Sequence, residues 1–458
     1  MEETSLAQIR SILNEQRIFF GTNQTKATDF RLLALKKLKQ AIGKFEKQLT
    51  DALWKDLRKS YEEAYLTEIS IVNQELDYHI KHLKKWAKPT KVSTPAHLLP
   101  SSSRIIHEPL GVALIIAPWN YPFQLLINPL VGAISAGCCA ILKPSPDTPH
   151  VAKVLEAIIR DTFQENHVHV VQGGRETNEI LLKQKFDLIF FTGSSAVGKV
   201  VMKAAAEHLT PVVLELGGKS PCIVDESADL EVAARRIIWG KTINAGQTCI
   251  APDYLFVHEA IKEDLISKME EAIESMFGEN VQESKYYPRI VHEKAFDRLT
   301  NLMQEGRVRL GGITNAEDLY ISPTVIDQVQ PDHKLMQEEI FGPILPIITF
   351  VRVEEATAFI NAQPKPLALY YFGDDEKGEA ILSKTTSGGG CINDALMHIS
   401  NHNLPFGGVG NSGIGKYHGK ESFLAFSNQR AIVKTPTLID LPFKYAPFKY
   451  FTFVKKIL

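Results

Sequence analysis

The chain has 458 residues, of which 44% are hydrophobic and 23% are charged, and its formal net charge is −2. This size and composition are typical of a soluble globular protein with two or three domains. The near balance of 51 basic and 53 acidic residues gives no global field that would attract nucleic acid. The start of the sequence lacks a secretory signal pattern, and no stretch approaches the roughly 18 uninterrupted apolar residues of a membrane-spanning helix.

The sequence contains five cysteines: Cys138, Cys139, Cys222, Cys249 and Cys391. An odd number without CxxC spacing favours free thiols in a reducing compartment, so we predict a cytoplasmic protein. No Cys/His cluster has the spacing of a zinc site, and we predict no metal. Apart from Cys249, the cysteines lie in apolar contexts that favour a packing role.

Residues 6–87 are charged and poor in glycine and proline, with apolar residues three or four positions apart. This pattern predicts helices. Residues 88–100 differ, since Pro89, Pro95 and Pro100 lie among serines and threonines, which predicts an extended connection.

From residue 107 the pattern changes to short apolar runs that alternate with helical segments. The predicted strands are Val112–Ala117, Ala140–Leu142, Val168–Val171 and Leu188–Phe191, and the predicted helices are Leu125–Ala136 and His150–Phe163. This alternation is typical of a doubly wound parallel sheet. Strands at 211–216 and 221–224 around Gly217 and Gly218, a helix at 230–242, and a second strand–helix series over 253–371 with a helix at 262–276 follow.

The strand that ends at Gly193 runs into a helical pattern through Ser194 and Gly198. Backbone N–H groups at a helix start, approached through glycine, suit a phosphate or a dinucleotide. The spacing is not the usual G-x-G-x-x-G, however. Taken alone, a helix start that binds nothing is an equally good interpretation.

Two later segments combine a carboxylate with a thiol: Glu215-Leu-Gly-Gly-Lys and Gly246-Gln-Thr-Cys249. A thiolate is a strong nucleophile, but a cysteine is mostly protonated at neutral pH. A carboxylate that folds close to it can act as its base or activate a water molecule. The simpler alternatives are a buried, inert cysteine and an ordinary Gly-Gly turn.

The last part of the chain has a glycine-rich segment at 404–420, which predicts a long functional loop. His398, His402 and His418 lie in or near it, and a histidine in a loop is more often solvated or hydrogen-bonded than catalytic. Residues 438–458 interleave aromatic residues with lysines. They suit either a membrane surface or a cover over the chain's own or a partner's substrate entrance, and Pro442 and Pro447, which prevent a long helix, favour the second.

Seven short motifs occur in order between residues 118 and 408. They are Pro118-Trp-Asn120-Tyr-Pro, Leu142-Lys143-Pro-Ser145, Phe191-Thr-Gly193-Ser, Glu215-Leu-Gly-Gly-Lys, Gly246-Gln-Thr-Cys249, Glu338-Glu339-Ile-Phe341-Gly-Pro and Leu404-Pro-Phe-Gly-Gly. With these motifs the sequence resembles the aldehyde dehydrogenase superfamily. The run from Phe406 to Lys420 and the compact N-terminus are similar to its class 3 branch, the fatty and aromatic aldehyde dehydrogenases.

The resemblance implies oxidation of hydrophobic aldehydes, aliphatic or aromatic, to carboxylic acids with NAD or NADP. Cys249 would attack the aldehyde, and the side-chain amide of Asn120 with the Cys249 N–H would stabilise the oxyanion, a donor so placed being worth ~3 kcal/mol. Glu215 would deprotonate the water that hydrolyses the thioester.

The resemblance also assigns residues to the two ligands. Cofactor residues would be Trp119, Lys143, Gly193, Ser194, Gly198, Glu339 and Phe341, with Lys143 and Glu339 on the two riboses. Tyr121 and Phe406 would line the aldehyde site.

One position departs from the pattern of many relatives, which carry Glu after Lys-Pro-Ser where this chain has Pro146. That carboxylate binds the adenosine 2′-hydroxyl and repels a 2′-phosphate. Its loss should relax the bias against NADP, so we predict that NADP is used beside NAD or in preference to it. Asp147, the next residue, is a possible substitute.

The implied architecture is the α/β aldehyde dehydrogenase fold. A Rossmann-like NAD(P)-binding domain would comprise residues 1–87 and 108–214, and an α/β catalytic domain residues 215–427. Residues 88–107 and 428–458 would form a small bridging or oligomerisation element with the C-terminal tail, in a homodimer.

Three alternatives remain open: an acylating dehydrogenase that passes the acyl group to coenzyme A or phosphate, a non-redox cysteine hydrolase, and a catalytically retired binding protein. Retention of Glu215 argues against the first, the cofactor motifs argue against the second, and intact Cys249, Glu215 and Asn120 argue against the third.

Overall fold

The computed structural model describes residues 3–440 and 442–457. The helices are α1 Leu6–Gly21, α2 Thr28–Leu57, α3 Tyr61–Ala64, α4 Ser70–Trp86, α5 Gln124–Ala136, α6 Pro149–Thr162, α7 Arg175–Leu182, α8 Ser195–Ala206, α9 Leu230–Thr242, α10 Lys262–Phe277, α11 Glu293–Leu302, α12 Lys334–Gln337, α13 Val353–Ala362, α14 Asp375–Lys384, α15 Lys420–Ala425 and α16 Phe451–Ile457. The strands are β1 Thr90–Val92, β2 Ser102–Pro109, β3 Val112–Ile116, β4 Cys139–Lys143, β5 Val168–Val170, β6 Leu188–Gly193, β7 Val212–Leu216, β8 Pro221–Val224, β9 Tyr254–His258, β10 Arg307–Leu310, β11 Thr314–Asn315, β12 Tyr320–Ile321, β13 Thr324–Asp327, β14 Ile344–Phe350, β15 Ala368–Phe372, β16 Gly389–Ile392, β17 Gly413–Ile414 and β18 Ser427–Lys434.

The predicted N-terminal helical region consists of α1 to α4 with short breaks between them. Asn23 and Arg58 adopt left-handed backbone angles, with φ of 63° and 57°, and a left-handed residue is a common way to end a helix. Between α3 and α4 the chain continues as a π-helical turn over Tyr65–Ile69. The helical prediction is therefore confirmed, although the sequence pattern did not show the breaks.

The first large sheet has the strand order β17-β7-β6-β3-β4-β5. All its strands are parallel except β17, which pairs with β7 in the antiparallel direction. Every residue of β3 and β4 is buried because helices cover both faces of a doubly wound sheet. The predicted parallel α/β sheet is confirmed, and the predicted strand ends agree with the structure within one or two residues.

The N-terminal helix α1 covers one face of this sheet. Residues of α1 share a hydrophobic cluster with alternate residues of β3, namely Ile9 and Leu13 with Val112, Leu114 and Ile116. The residues between them, Ala113 and Ile115, belong to the main core on the other face. This alternation is what the two-residue period of a strand requires.

The second large sheet has the order β10-β13-β14-β9-β8-β15-β16 and is parallel apart from β10. Strand β8 belongs to this second sheet, whereas β7, the strand just before it in the chain, belongs to the first. The segment with Gly217 and Gly218 therefore carries the chain from one sheet to the other. A Cβ added at Gly217 would lie 2.0 Å from the Glu339 Oε2 atom. A glycine is needed here because a carboxylate approaches the backbone, which is a stronger reason than the turn that the sequence indicated.

A third, antiparallel sheet has the order β1-β2-β18. It pairs Thr90 with Ile105 and Ser427 with Pro109, so the proline-rich excursion and the strand after residue 426 lie side by side. Their role in bridging two subunits remains a prediction.

The C-terminal tail contains only short helical segments, Pro442–Lys444 and α16. The side chains of Leu438, Tyr445, Phe448, Tyr450 and Phe451 are exposed. Phe443 and Phe453 are also among the aromatic residues of this tail, and their side chains lie outside the described part of the structure.

Over residues 3–440 and 442–457, no helix is both long enough and apolar enough to cross a membrane.

Candidate active site

A cavity of about 530 Å³ lies between the N-terminal helices, the segment after α9 and the glycine-rich segment 404–420. Cys249, Tyr121 and Phe406 all line it. Most of its other walls are apolar, with contributions from Leu66, Leu125, Trp239, Met276, Phe277 and Ile399. The structure thus brings the predicted nucleophile and both predicted aldehyde-site residues to one apolar cavity, which is the kind of space that binds small molecules.

The segment that carries Cys249 is built from unusual backbone angles. Asn244, Ala245 and Gly246 all have positive φ, at 51°, 51° and 74°. A Cβ on Gly246 would lie only 2.2 Å from the Gly342 carbonyl oxygen, so no larger residue fits. This sharp change of direction after α9 leaves Cys249 half-buried at the cavity.

The amide of Gln247 fixes the same segment from inside. Its Nε2 donates to the carbonyl oxygens of Asn244 and Arg289, both at 3.0 Å, and its Oε1 accepts from the Val291 N–H at 3.0 Å. The side chain is buried and uses both ends of its amide. Sequence reasoning quoted Gln247 as part of a motif without this role, because two of its partners lie about forty residues away.

Asn120 lies directly beside this segment. Its Nδ2 donates to the Gln247 carbonyl at 3.0 Å, and the side chain is 2% exposed. A primary amide has two N–H donors, so one remains for a ligand. The Asn120 carbonyl accepts from Asn244 Nδ2 at 2.8 Å and from Lys59 Nζ at 2.9 Å, which fixes the backbone from the other side.

Below Asn120 lies an ion pair that sequence reasoning missed. Lys59 Nζ is 2.7 Å from Glu68 Oε1, and both side chains are 0% exposed. The second Glu68 oxygen accepts the backbone N–H groups of Phe123 and Gln124 at 2.9 and 3.1 Å. Lys59 therefore anchors the chain at the Asn120 carbonyl, and Glu68 anchors it at Phe123 and Gln124. Nothing local in the helical pattern could have distinguished these two residues from the solvated charges around them.

Tyr121 is held by the same network. Its ring lies 4.0 Å below Lys59 Nζ, a distance suited to a cation–π contact, and its hydroxyl is 2.6 Å from Thr248 Oγ1. Burial raises the pKa of Tyr121 well above its usual value. The phenol therefore remains neutral beside the cysteine.

Glu215, on β7, is 3% exposed. Within the described chain neither of its carboxylate oxygens has a hydrogen-bond partner. Burial raises its pKa well above the usual range, and the charge of Lys416 opposes that rise. Burial also raises the pKa of Cys249, and the charges of Glu339 and Glu215 raise it further. Both shifts favour the protonated forms, so Glu215 becomes a strong proton acceptor once it is ionised.

The predicted ribose residues, the buried Lys143 and the partly buried Glu339, both have free hydrogen-bonding capacity. Lys143, at the end of β4, donates to the Pro144 carbonyl at 2.8 Å and has further N–H donors. Burial lowers its pKa to about 8. Glu339 Oε1 is buried without a partner among the described residues, and burial raises the pKa of Glu339 to about 8. A donor and an acceptor in this state fit the hydroxyl groups of a dinucleotide cofactor.

The remaining predicted cofactor residues fall into two groups. Trp119 and Phe341 make an edge-to-face contact with ring centroids 5.3 Å apart. Gly193 ends β6, and Ser194 caps α8 by accepting the Val197 N–H at 3.4 Å. A Cβ on Gly198 would lie 2.6 Å from a methyl group of Leu216, so close helix–sheet packing already accounts for this glycine.

The histidines near the glycine-rich segment were expected to be solvated or hydrogen-bonded, and His398 and His402 fit this expectation whereas His418 does not. His418 is 2% exposed and neither ring nitrogen has a described partner, and burial lowers its pKa to about 4. His402 Nδ1 lies 2.8 Å from the buried Glu75 carboxylate of α4, which also accepts the Gly419 N–H at 2.7 Å. Part of the glycine-rich segment is therefore packed onto α4, and His418 is buried there.

No histidine in the described ranges hydrogen-bonds Cys249, and His398 instead lies 3.6 Å from the sulfur of Cys391. Over the same residues, no group of three or more His, Cys, Asp or Glu side chains is arranged to hold a metal ion.

Comparison with known proteins agrees with this geometry. The model of the Aldehyde dehydrogenase family matches residues 4–432. The chain is 48% identical over 438 residues to the 4,4′-diaponeurosporen-aldehyde dehydrogenase of Staphylococcus aureus, covering 95% of both chains. It is 43% identical over 445 residues to the dimeric NADP-preferring aldehyde dehydrogenase of Canis lupus familiaris, covering 96% of this chain and 98% of that protein.

A solved structure of Staphylococcus aureus AldH in its substrate-bound state superposes with a TM-score of 0.96 at 46% identity, covering 98% of this chain and 99% of the other. Other relatives at 44 to 45% identity are named aldehyde dehydrogenase family 3 proteins, which confirms the branch that the motifs indicated. The chain therefore belongs to the aldehyde dehydrogenase family.

Proposed function

We propose that this protein oxidises hydrophobic aldehydes to carboxylic acids with NAD or NADP, using Cys249 as nucleophile and Glu215 as general base. The observation that carries the proposal is a half-buried thiol at an apolar cavity in the electrostatic field of a buried carboxylate, Glu215, that accepts no hydrogen bond from the described residues. Family membership supports the reaction class.

In the first step Cys249 loses its thiol proton to a water molecule, and the thiolate sulfur attacks the aldehyde carbon. The π electrons of the carbonyl group move to its oxygen, which becomes an oxyanion. The free N–H of the Asn120 amide, which the bond to Gln247 orients, and the Cys249 backbone N–H stabilise this charge. One preorganised donor of this kind is worth about 3 kcal/mol.

NAD or NADP, when bound, would supply the hydride acceptor for oxidation of the thiohemiacetal to the thioester. Lys143 and Glu339 would hold its ribose hydroxyls, because Lys143 has further N–H donors and the buried Glu339 Oε1 atom has no partner among the described residues. Gly193, Ser194 and Gly198 would approach its diphosphate at the start of α8, where backbone N–H groups favour an anion. The Trp119 and Phe341 rings would pack beside it.

The remaining thioester is hydrolysed. Glu215 removes a proton from water while the water oxygen bonds to the acyl carbon, and the carbon–sulfur bond breaks to release the acid. The raised pKa of Glu215 makes it a stronger base than an exposed carboxylate, which suits this role.

The substrate class follows from the cavity. Its walls are mainly apolar, and Tyr121 and Phe406 are among the rings that face it. The Staphylococcus aureus relative named above acts, by its name, on 4,4′-diaponeurosporen-aldehyde. We therefore propose medium- and long-chain aliphatic or aromatic aldehydes as substrates.

We further propose that NADP is accepted, because Pro146 provides no carboxylate to repel a 2′-phosphate, and the canine relative is NADP-preferring.

The canine relative is also dimeric, which supports a homodimer here. The proposal includes the division into an NAD(P)-binding domain (1–87 and 108–214), a catalytic domain (215–427) and a bridging element with the C-terminal tail (88–107 and 428–458). The five free cysteines support a reducing compartment such as the cytoplasm.

The test is to incubate the protein with excess hexanal or benzaldehyde and either NAD or NADP, and to follow the absorbance of the reduced cofactor. We expect steady turnover that the Cys249→Ala variant lacks. Turnover with NAD more than a hundredfold above NADP would contradict the cofactor proposal.

The same assay separates the alternatives. A single burst that needs coenzyme A or phosphate to continue would indicate an acylating enzyme. Ester cleavage by Cys249 without any binding of NADH, measured by fluorescence titration, would indicate a non-redox hydrolase.

A further inference from the structure

The glycine-rich segment brings a lysine to the buried base. β17 pairs with β7 so that Gly413 lies opposite Glu215 and Ile414 opposite Leu214. Farther along, Tyr417 pairs with Phe406 through two backbone hydrogen bonds of 2.8 and 2.9 Å. Lys416 is thus fixed by backbone pairing on both sides.

Gly407 shows how close Lys416 comes to Glu215. A Cβ placed on Gly407 would lie 2.7 Å from Glu215 Oε1 and 3.0 Å from Lys416 Cδ. The carboxylate and the lysine side chain therefore flank the same bare backbone position, and φ at Gly407 is 150°. The half-buried Lys416 Nζ donates to the Gly407 carbonyl and, at 3.4 Å, to the Gly388 carbonyl.

The titratable groups that face Glu215 come from two elements. Lys416 and Tyr417 approach from the glycine-rich segment, and Cys249 approaches from the segment after α9. The thiol and the phenol are neutral at physiological pH because burial raises the pKa of both. Among the described residues, Lys416 is therefore the cation that can stabilise the ionised form of Glu215.

We propose that Lys416 is a positioning residue that holds the Glu215 carboxylate in its ionised, proton-accepting form during thioester hydrolysis. Two backbone carbonyls fix the ammonium group, so that it acts on Glu215 through its charge without competing for the carboxylate oxygens. The inference rests on the proposed role of Glu215 as the base.

Consistent with this geometry, Lys416 lowers the pKa of Glu215 against the effect of burial, and Glu215 raises the pKa of Lys416 against the same effect. Removing the cation should raise the pKa of Glu215 further. Hydrolysis, which needs the ionised carboxylate, should then require a higher pH.

The experiment measures deacylation directly. The full-length protein is acylated at Cys249 with p-nitrophenyl acetate, excess reagent is removed, and loss of the acetyl group is followed by mass spectrometry between pH 5.5 and 9. Lys416→Gln keeps a donor for the Gly407 carbonyl without the charge, Lys416→Met removes both, and Lys416→Arg keeps the charge. Lys420→Gln, an exposed lysine of the same segment, is the matched control.

We expect the acidic limb of the deacylation rate to move upward by roughly one pH unit in Lys416→Gln and Lys416→Met, the smaller end of the shift that a nearby opposite charge produces. At pH 6 this is about a tenfold loss, and it should vanish near pH 9. Lys416→Arg and Lys420→Gln should follow the unmodified protein.

A profile of Lys416→Gln that overlays the unmodified one would overturn the inference, as would an equal shift in Lys416→Arg. Glu215→Gln distinguishes this failure from failure of the proposed function. If Glu215→Gln deacylates normally, Glu215 is not the base. If Glu215→Gln is inactive while Lys416→Gln has a normal profile, only the role of Lys416 is wrong. Thermal unfolding of each variant shows whether it is folded.

Discussion

Two buried glutamates in this molecule have opposite surroundings. Glu68, in the helical region near Asn120, forms an ion pair with Lys59 and accepts hydrogen bonds from two backbone N–H groups. Glu215, on β7, has no hydrogen-bond partner among the described residues, although it is just as inaccessible. Both belong to the same site. Glu68 holds Lys59, which donates to the Asn120 carbonyl, and the charge of Glu215 acts on Cys249.

The difference shows what each carboxylate can do. A buried charge is costly unless it is paired and hydrogen-bonded. Glu68 meets that condition, so its charge fixes the backbone on which the Asn120 amide depends. Glu215 does not meet it, so protonation is favourable and the group is suited to move a proton. We infer that Glu68 helps to hold this site together and that Glu215 performs its chemistry.

The largest effect that tests this comparison is loss of turnover in Glu215→Gln. Removing a general base should reduce steady turnover by roughly 10³- to 10⁴-fold, while the first burst of reduced cofactor remains because acylation precedes hydrolysis. Stopped-flow absorbance separates the two phases. Loss of the burst together with turnover would place Glu215 in acylation instead.

The same variant should not lose stability. Because burial raises the pKa of Glu215 in the folded protein above its usual 4.5, the folded state binds more protons than the unfolded state above that pH. The contribution of Glu215 to stability therefore falls as pH rises through this range. Glu215→Gln should unfold at the same or a higher temperature than the unmodified protein at pH 8, which calorimetry can measure.

The next effect concerns the supporting pair. Lys59→Met leaves Glu68 buried without its cation and should lower the free energy of unfolding by about 3–5 kcal/mol. Urea unfolding followed by circular dichroism measures this change. The double variant Lys59→Met/Glu68→Gln should recover part of the loss, since the glutamine oxygen still accepts the backbone N–H groups.

The control for this prediction is the exposed pair Lys47–Asp51, with Nζ 3.0 Å from Oδ2 and side chains 86% and 57% exposed. Lys47→Met should change the free energy of unfolding by less than about 1 kcal/mol. Equal losses in both variants would mean that Lys59–Glu68 has no special structural role.

Asn120→Ala tests the group that lies between the two regions. We expect kcat/KM for the aldehyde to fall roughly a hundredfold or more, because loss of this donor raises the free energy of the transition state by about 3 kcal/mol. The fold should be unaffected because Lys59 contacts the Asn120 backbone and not its side chain. A variant with normal kcat/KM would show that the amide only supports Gln247.

The smallest expected effect concerns the cofactor. Pro146 is exposed, so Pro146→Glu adds a partly screened charge worth about 1 kcal/mol at most. The ratio of kcat/KM for NADP to that for NAD should fall roughly fivefold by the same estimate. Asp147→Asn is the matched variant, and a rise of the ratio in this variant would show that Asp147 already repels the 2′-phosphate.

Much of the fold could be predicted because its signals are local. The alternation of apolar runs and helical segments located β3, β4, β6, α5 and α6 within two residues, since strand and helix periods are visible in short windows. The assignment of β7 and β8 to different sheets was not visible. It depends on which strands pair over long sequence distances, and adjacent segments around a Gly-Gly pair give no sign of it.

The site was predictable where motifs name its residues and not where distant residues meet. Cys249, Tyr121 and Phe406 lie at one cavity as expected. Lys59, Glu68 and Lys416 were missed because a charged residue in a helical pattern or a polar loop normally faces water. The histidine prediction failed at His418 alone, because the packing of the glycine-rich segment onto α4, which buries it, depends on contacts between distant residues.

The pairing of β17 with β7 has a consequence for biosynthesis. During translation the ribosome releases Glu215 long before Gly413, the residue that lies opposite it, and domains tend to fold in the order in which they emerge. The β7 edge thus remains an open template until residues 413 and 414 have been made. A nascent chain interrupted before that point would carry Cys249, the proposed nucleophile, with an incomplete environment around Glu215, so we expect it to be inactive.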